Sequence, residues 1–68
     1  MLEEFGLTRT EEKVYLALLR TGLSLAAEII KKTQLHRTTV YDVLDRLIEK
    51  GLASYIVQNK IKYYSAVN

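Results

Sequence analysis

The chain has 68 residues, of which 49% are hydrophobic and 26% charged, with a formal net charge of +2 at pH 7. This length allows one small domain, and the composition is that of an ordered globular protein. Because there is no cysteine and only one histidine, His36, the sequence excludes a disulfide framework, a thiolate zinc site and clustered imidazole ligands.

The first helix is predicted over residues 9–21. Thr8 and Glu11 form a T-x-x-E capping box, which satisfies two free amide groups at a helix start. Gly22 ends the helix, because glycine adopts a left-handed conformation after a helix end at little cost. Apolar residues at helical spacing predict one buried face, made of Val14, Tyr15, Leu18 and Leu19.

A shorter second helix is predicted over residues 25–33, with Ser24 as its N-cap. Only residues 34–36 separate it from the next helical pattern, which covers residues 37–50 and ends at Gly51. A tight turn of about three to four residues between two short helices is typical of a helix-turn-helix. The buried face of the second helix is predicted to carry Leu25, Ala26, Ile29 and Ile30.

The third predicted helix has an apolar and a polar face. Tyr41 lies at the edge of the apolar face, and we expect it to be a core residue with an exposed hydroxyl. The apolar face consists of Val40, Leu44, Leu47 and Ile48. The opposite side carries Thr38, Thr39, Asp42, Asp45, Arg46 and Glu49.

A β-hairpin is predicted after the helices. Residues 52–57 and 61–67 are rich in β-formers, and Asn59 between them tolerates a positive φ angle. An isolated hairpin has only marginal stability in water. The apolar side of this hairpin, which forms the wing of the fold and includes the ring of Tyr64, should therefore pack against the helices. The sequence therefore predicts a mainly α fold with a small β-hairpin, a winged helix-turn-helix, as a single domain over residues 1–68.

Two segments, LTRTEEKVYLALL at 7–19 and RTTVYDVLDRLIEKGL at 37–52, resemble the DNA-binding domain of the TrmB-like transcription regulators. That family is found mainly in archaea, and many members respond to sugars. The resemblance covers nearly the whole chain, including the closing K-Y-Y-S-A-V, and it implies a regulator that binds double-stranded DNA. Its most specific part is the set Arg37, Tyr41, Asp42, Leu44, Leu47, Lys50 and Gly51.

The sequence departs from the family pattern at two points. Gln34 stands where family members usually have glycine and a left-handed backbone, which costs a non-glycine residue about 1 kcal/mol. Larger relatives continue into an effector-binding domain, whereas this sequence ends at Asn68. A small-molecule effector is therefore expected only if a further domain follows.

In helix-turn-helix proteins the N-terminal half of the second motif helix reads the major groove. Here that half presents Arg37, Thr38, Thr39 and Asp42. The threonines can bond to bases or phosphates, and Arg46 can reach guanine or a phosphate. Asp42 can accept a hydrogen bond from cytosine or hold a neighbouring arginine. The alternative for this face is an ordinary solvated helix surface.

Further contacts are expected from the wing and from two helix starts. Lys60 and Lys62 would lie along the DNA backbone or minor groove, although hairpin lysines also oppose edge aggregation. Ser24 would contact a phosphate through its amides. His36 would cap the third helix or meet a phosphate, or have no special task. Tyr63, on the other strand face from Tyr64, is a candidate for DNA or partner contact.

The charge distribution favours a polyanion as partner. Residues 1–30 hold five acidic and three basic residues, whereas residues 31–68 hold three acidic and seven basic residues. The first hypothesis is a sequence-specific DNA-binding regulator. The alternative is a winged helix used as a protein-interaction module of the transcription machinery, which the third-helix carboxylates and the low net charge favour.

A homodimer is expected, because a single module makes a small interface with DNA. Tyr55, Ile56, Leu2 and Phe5 are candidates for the dimer surface. No catalytic constellation or glycine-rich phosphate loop is visible, so neither an enzyme nor a cofactor is predicted. The sequence has no apolar run of the roughly 18 residues that span a membrane, and no signal peptide, so a cytoplasmic protein is expected.

Overall fold

A computed structural model describes residues 6–67 of the chain. Leu2 and Phe5, which are candidates for a dimer surface, lie outside the described residues. Three helices and a two-stranded antiparallel sheet confirm the predicted mainly α fold with a hairpin, and no predicted end differs by more than one residue. The elements are α1 (Arg9–Thr21), α2 (Ala26–Thr33), α3 (Arg37–Glu49), β1 (Ala53–Gln58) and β2 (Ile61–Ala66).

The start of α1 has the predicted capping box. The Glu11 amide donates to the Thr8 hydroxyl at 3.1 Å, and the Thr8 amide donates to the Glu11 carboxylate at 3.0 Å. Gly22 has φ 71° and ψ −140°, a region that only glycine populates readily. Leu19 is 44% exposed, so its predicted burial is wrong. It lies about 100° around the helix from the buried Leu18, outside the stripe that faces α2 and α3.

The core lies where the three helices meet the hairpin. Tyr64 on β2 is buried there, as predicted, and forms an isolated bridge with Ser24 in the loop before α2. This bridge fixes the hairpin to the helices. Among residues 6–67 no helix is long and apolar enough to cross a membrane. The largest fully buried apolar side chains are those of Val14, Leu18, Ile29, Val40, Leu44 and Leu47.

The turn of the hairpin contains two residues, because Gln58 pairs with Ile61. Asn59 has φ 52°, which confirms its predicted positive φ, and Lys60 has φ 66°. Two successive positive φ angles are those of the type I′ turn, whose twist suits an antiparallel hairpin. The register gives an inner face of Ala53, Tyr55, Val57, Lys62, Tyr64 and Ala66. The outer face has Ser54, Ile56, Gln58, Ile61, Tyr63 and Ser65.

Candidate nucleic-acid interface

The bend between α2 and α3 is made by residues 34–36. Gln34 has φ 60° and ψ 23°, the left-handed conformation that the family resemblance implied, and its amide donates to the Ile30 carbonyl at 2.8 Å. The Gln34 side-chain amide also donates to the Lys31 carbonyl at 2.7 Å. This bond holds the side chain at a position where glycine would carry less strain. α3 therefore starts as a separate helix at Arg37.

Ser24 does not cap α2, so its predicted N-cap role is wrong, and its own amide already has a partner. Its amide donates to the Tyr64 carbonyl at 2.8 Å and its carbonyl accepts from the Tyr64 amide at 2.7 Å, so both backbone groups are used in the bridge to the wing. Its hydroxyl is buried and hydrogen-bonds to the Thr21 hydroxyl. Leu25 occupies the N-cap position instead, and its amide donates to the Glu28 carboxylate at 2.8 Å.

The first turn of α3 presents polar groups to solvent. Arg37 and Thr38 are exposed, and Thr39 is half-buried. His36 is the N-cap residue of α3 and has the extended N-cap conformation, but its side chain makes no capping hydrogen bond. No acidic residue lies in this turn. The positive end of the helix dipole is therefore not neutralised from within α3.

Tyr41 borders a cleft between α3 and the wing. It is 39% exposed, so its predicted place in the core is wrong: position 41 lies beside the buried stripe, and the wing does not cover it. The guanidinium carbon of Arg37 lies 5.6 Å from the centre of its ring, within cation–π range. The cleft has a volume of about 260 Å³, and its other lining residues are Leu25, Ala26, Ala27, Ile61, Lys62 and Tyr64.

Asp42 and Arg46 form an ion pair one turn apart on α3. Nε of Arg46 lies 3.3 Å from Oδ2 of Asp42, and Nη1 of Arg46 lies 3.9 Å from Oε2 of Glu11. Of the alternatives for Asp42, the structure thus contains the one in which it holds a neighbouring arginine. The two α3 side chains are 60% and 56% exposed. An exposed pair contributes about 0–1 kcal/mol, so it orients Arg46 without immobilising it.

Glu11 links α1 to the end of α3, a role that the sequence analysis missed. Its side chain is buried, and Oε1 lies 3.0 Å from Nζ of Lys50, which also donates to the Gly6 carbonyl at 3.3 Å. The hydrogen bond from the Thr8 amide is the main cause that lowers the pKa of Glu11 below 4.5. Lys50 and Arg46 lower this pKa further, and burial opposes them. Lys50 is one of the residues that carry the family resemblance, but no sequence pattern linked it to α1.

The wing carries its two lysines at different places. Nζ of Lys62 lies 4.6 Å from the centre of the Tyr55 ring on the inner face, and the centre of the Tyr55 ring lies 6.1 Å from that of Tyr64. Lys60 is exposed in the turn at the tip. Tyr63 lies on the outer face and is half-buried. A ligand along the inner face of the wing would meet Lys62 without touching Tyr63.

The predicted site residues fall on two flanks of α3. Arg37 contacts Tyr41, which lines the same cleft as Lys62. Arg46 lies on the other flank, beside Glu11. The first flank combines two cations from α3 and the wing, whereas the cation on the second flank already has carboxylate partners.

Comparison with known sequences identifies the family. A family model described as "Sugar-specific transcriptional regulator TrmB" matches residues 2–68. The chain is 40% identical over 67 residues to the HTH-type sugar sensing transcriptional regulator TrmBL1 of Pyrococcus furiosus. That match covers 98% of this chain and 19% of the relative. The chain therefore spans about one fifth of the length of the curated relative.

Solved structures share the fold. BpsR of Bordetella bronchiseptica, whose DNA binding is regulated by 6-hydroxynicotinic acid, superposes with a TM-score of 0.87 at 22% identity, over 96% of this chain and 47% of that one. A MarR family protein from Bacillus stearothermophilus superposes with a TM-score of 0.84 at 21% identity, over 98% of this chain and 48% of that one. MepR of S. aureus, solved in complex with DNA, superposes with a TM-score of 0.80 at 25% identity, over 98% of this chain and 58% of that one.

These likenesses confirm the winged helix-turn-helix fold, and the family match extends over nearly the whole chain. The family consists of transcriptional regulators and not of enzymes. The chain belongs to the TrmB family of transcriptional regulators.

Proposed function

We propose that the chain binds double-stranded DNA in a sequence-specific way, with the first turn of α3 in the major groove and the wing along the backbone or minor groove. The observation that carries the proposal is the exposed, acid-free first turn of α3, which follows the left-handed bend at Gln34. The major groove admits one helix and displays a different pattern of donors and acceptors for each base pair. Arg37, Thr38 and Thr39 carry the donors of this turn.

The contact between Arg37 and Tyr41 supports this docking. The ring restricts the guanidinium to one side of α3 before any DNA is present, so less side-chain entropy is lost on binding. The unpaired amides at the start of α3 add a favourable interaction with a phosphate. His36 is exposed beside these amides and would lie near the same phosphate.

The wing supplies contacts that do not depend on the base sequence. Lys62 borders the cleft beside the start of α2, where the first amides have no partner within the helix. A phosphate at this mouth would meet a cation and these amides together. Lys60 at the tip would reach a second phosphate or the minor groove, and Tyr63 would contact DNA only if the outer face of the wing also turns toward it.

The carboxylates of α3 limit how it can lie in the groove. Asp45 and Glu49 are exposed and make no ion pair within residues 6–67. Phosphates near them would be repelled, so we place the base contacts in the first two turns. Asp42 would hold Arg46 toward a base or phosphate at the limit of this region.

We propose that the chain acts as a homodimer. One module buries about 600–1,000 Å² with DNA, and a second half-site raises both affinity and specificity. Ile56, exposed on the outer face of the wing, is an available apolar group for such an interface, whereas Tyr55 lies on the inner face beside Lys62. The relative's name also refers to sugar sensing, and that response is no part of the function proposed for these residues.

The second candidate function is a winged helix that binds another protein of the transcription machinery. The exposed Asp45 and Glu49 on the outward face of α3 favour it, because carboxylates there suit a basic protein surface better than DNA. A basic protein partner would then contact the middle and end of α3 and leave its first turn unused.

A salt titration separates the two functions. Binding of a fluorescent duplex of roughly 20 base pairs is measured by anisotropy between about 50 and 200 mM salt. Two phosphate contacts, by Lys60 and Lys62, predict about a twelvefold loss of affinity over this range. Absence of DNA binding at the lowest salt would refute DNA binding and leave the protein-interaction candidate.

A further inference from the structure

A second cleft lies between α1 and the C-terminal end of α2. It has a volume of about 210 Å³ and is lined by Lys13, Leu16, Ala17, Arg20, Lys32 and Thr33. None of these residues belongs to α3 or to the hairpin. A ligand in this cleft would therefore leave the proposed DNA-binding residues uncovered.

The charged groups of this cleft are all cations. Lys13 and Arg20 come from α1 and Lys32 from α2, and all three are exposed. None of the three forms an ion pair within the part of the chain that the structure describes. α1 also contains Glu11 and Glu12, but neither lines the cleft. Three positive charges thus surround one concavity with no carboxylate in its wall.

The rest of the wall is largely apolar. Leu16 lines the cleft with 40% of its surface exposed, and Ala17 beside it is buried. A large apolar side chain placed on Leu16 would remove apolar surface of both partners from water, which favours binding. Phosphates of DNA would satisfy the cations but would leave this apolar wall wet.

We propose that the cleft binds an acidic peptide segment of a partner protein that carries one large apolar side chain. The apolar side chain would pack on Leu16 and Ala17, and flanking carboxylates would pair with Lys13, Arg20 and Lys32. The charge complementarity selects an acidic segment, and the apolar wall selects a peptide over a nucleic acid. The partner and DNA then occupy separate surfaces, so the domain can hold both at once.

The test uses the 68-residue chain and a fluorescein-labelled peptide of about ten residues, made of Asp and Glu with one central Phe. At about 150 mM salt, where charges more than about 8 Å apart are screened, we expect a Kd between about 1 µM and 1 mM. Amide NMR signals of the cleft residues should shift. Lys13→Gln with Lys32→Gln should weaken peptide binding about fivefold or more and leave DNA binding within about twofold.

The matched control is Lys60→Gln with Lys62→Gln, which removes the same charge and should weaken DNA binding but not peptide binding. Equal binding of a peptide with Asn and Gln in place of its acids, or with Ser in place of its Phe, would overturn the proposal. So would an equal loss of DNA affinity in both double variants, which would make the cleft a DNA contact. Self-association of the wild type that Lys13→Gln with Lys32→Gln abolishes would instead make it an interface between copies.

Discussion

Nζ of Lys50, just after α3, lies 3.0 Å from Oε1 of Glu11 in the first turn of α1, across 39 positions of sequence. The same oxygen accepts a hydrogen bond from the Thr8 amide, and the other carboxylate oxygen, Oε2, lies 3.9 Å from Nη1 of Arg46. One buried group thus caps α1 and fixes the end of α3 to it. The link thus joins the end of the proposed recognition helix to α1.

Glu11→Gln should lower the free energy of unfolding by about 1–2 kcal/mol, because the amide weakens the capping box and cannot pair with Lys50. In a domain of this size that is a fall in Tm of about 4–16 °C. Thermal unfolding followed by circular dichroism measures it. Glu12→Gln is the control, since it removes the same charge from the same turn; an equal Tm for both variants would contradict the role of Glu11.

Glu11 should also make stability depend on acid pH. The Thr8 amide, with Lys50 and Arg46, lowers the pKa of the folded carboxyl below 4.5. The unfolded chain then binds the proton more tightly, so the contribution is complete above pH 4.5 and is lost as the pH falls through the folded pKa. Urea unfolding of wild type and Glu11→Gln should show a stability difference that shrinks below pH 4.5. A constant difference down to pH 3, about 1.5 units lower, would contradict this origin.

Lys60→Gly should have opposite effects on stability and DNA affinity. Glycine adopts the φ of 66° without strain and completes an Asn-Gly type I′ turn, so we expect a gain of about 0.5–1 kcal/mol. Loss of one phosphate contact should reduce the salt slope by about 0.9. Chemical denaturation measures the free energy of unfolding, and a salt titration of DNA binding measures the slope. Lys60→Gln should reproduce only the loss of affinity, and an unchanged slope in both variants would exclude Lys60 as a phosphate contact.

Two substitutions should separate affinity from specificity. Lys62→Ala should weaken binding about equally for all duplexes, because the backbone contact proposed for Lys62 carries no sequence information. Thr39→Ala should change the preferred sequence, because Thr39 lies in the first turn of α3, the proposed recognition helix. Selection from a randomised duplex library by each variant reports both effects. A changed sequence preference for Lys62→Ala would show that the wing reads bases.

Local sequence patterns predicted what local chemistry determines. The capping box of Thr8 and Glu11 and the positive φ of Asn59 depend on neighbours within a few residues, and all were predicted. Ser24 was assigned wrongly because its backbone pairs with Tyr64, far along the chain. The same limit hid the contact of Glu11 with Lys50.

Hydrophobic periodicity predicted burial least well for residues at the edges of the helix faces. Leu19 and Tyr41 each lie one position from the buried stripe, and whether such a residue is covered depends on the neighbouring element. The candidate site had the same limit. The sequence predicted Arg37 and Lys62 as site residues. Their contacts with Tyr41 and Tyr55, and the cleft that Tyr41 and Lys62 line, depend on tertiary packing.

DNA binding by the first turn of α3 is tested by titrating isotope-labelled protein with duplex DNA at low salt and following the amide NMR signals. We expect the largest shifts for residues 36–41, at the start of α3, and for residues 60–62 of the wing. If the signals of residues 37–46 stay in place with any duplex, the exposed first turn of α3 is not a DNA-binding surface.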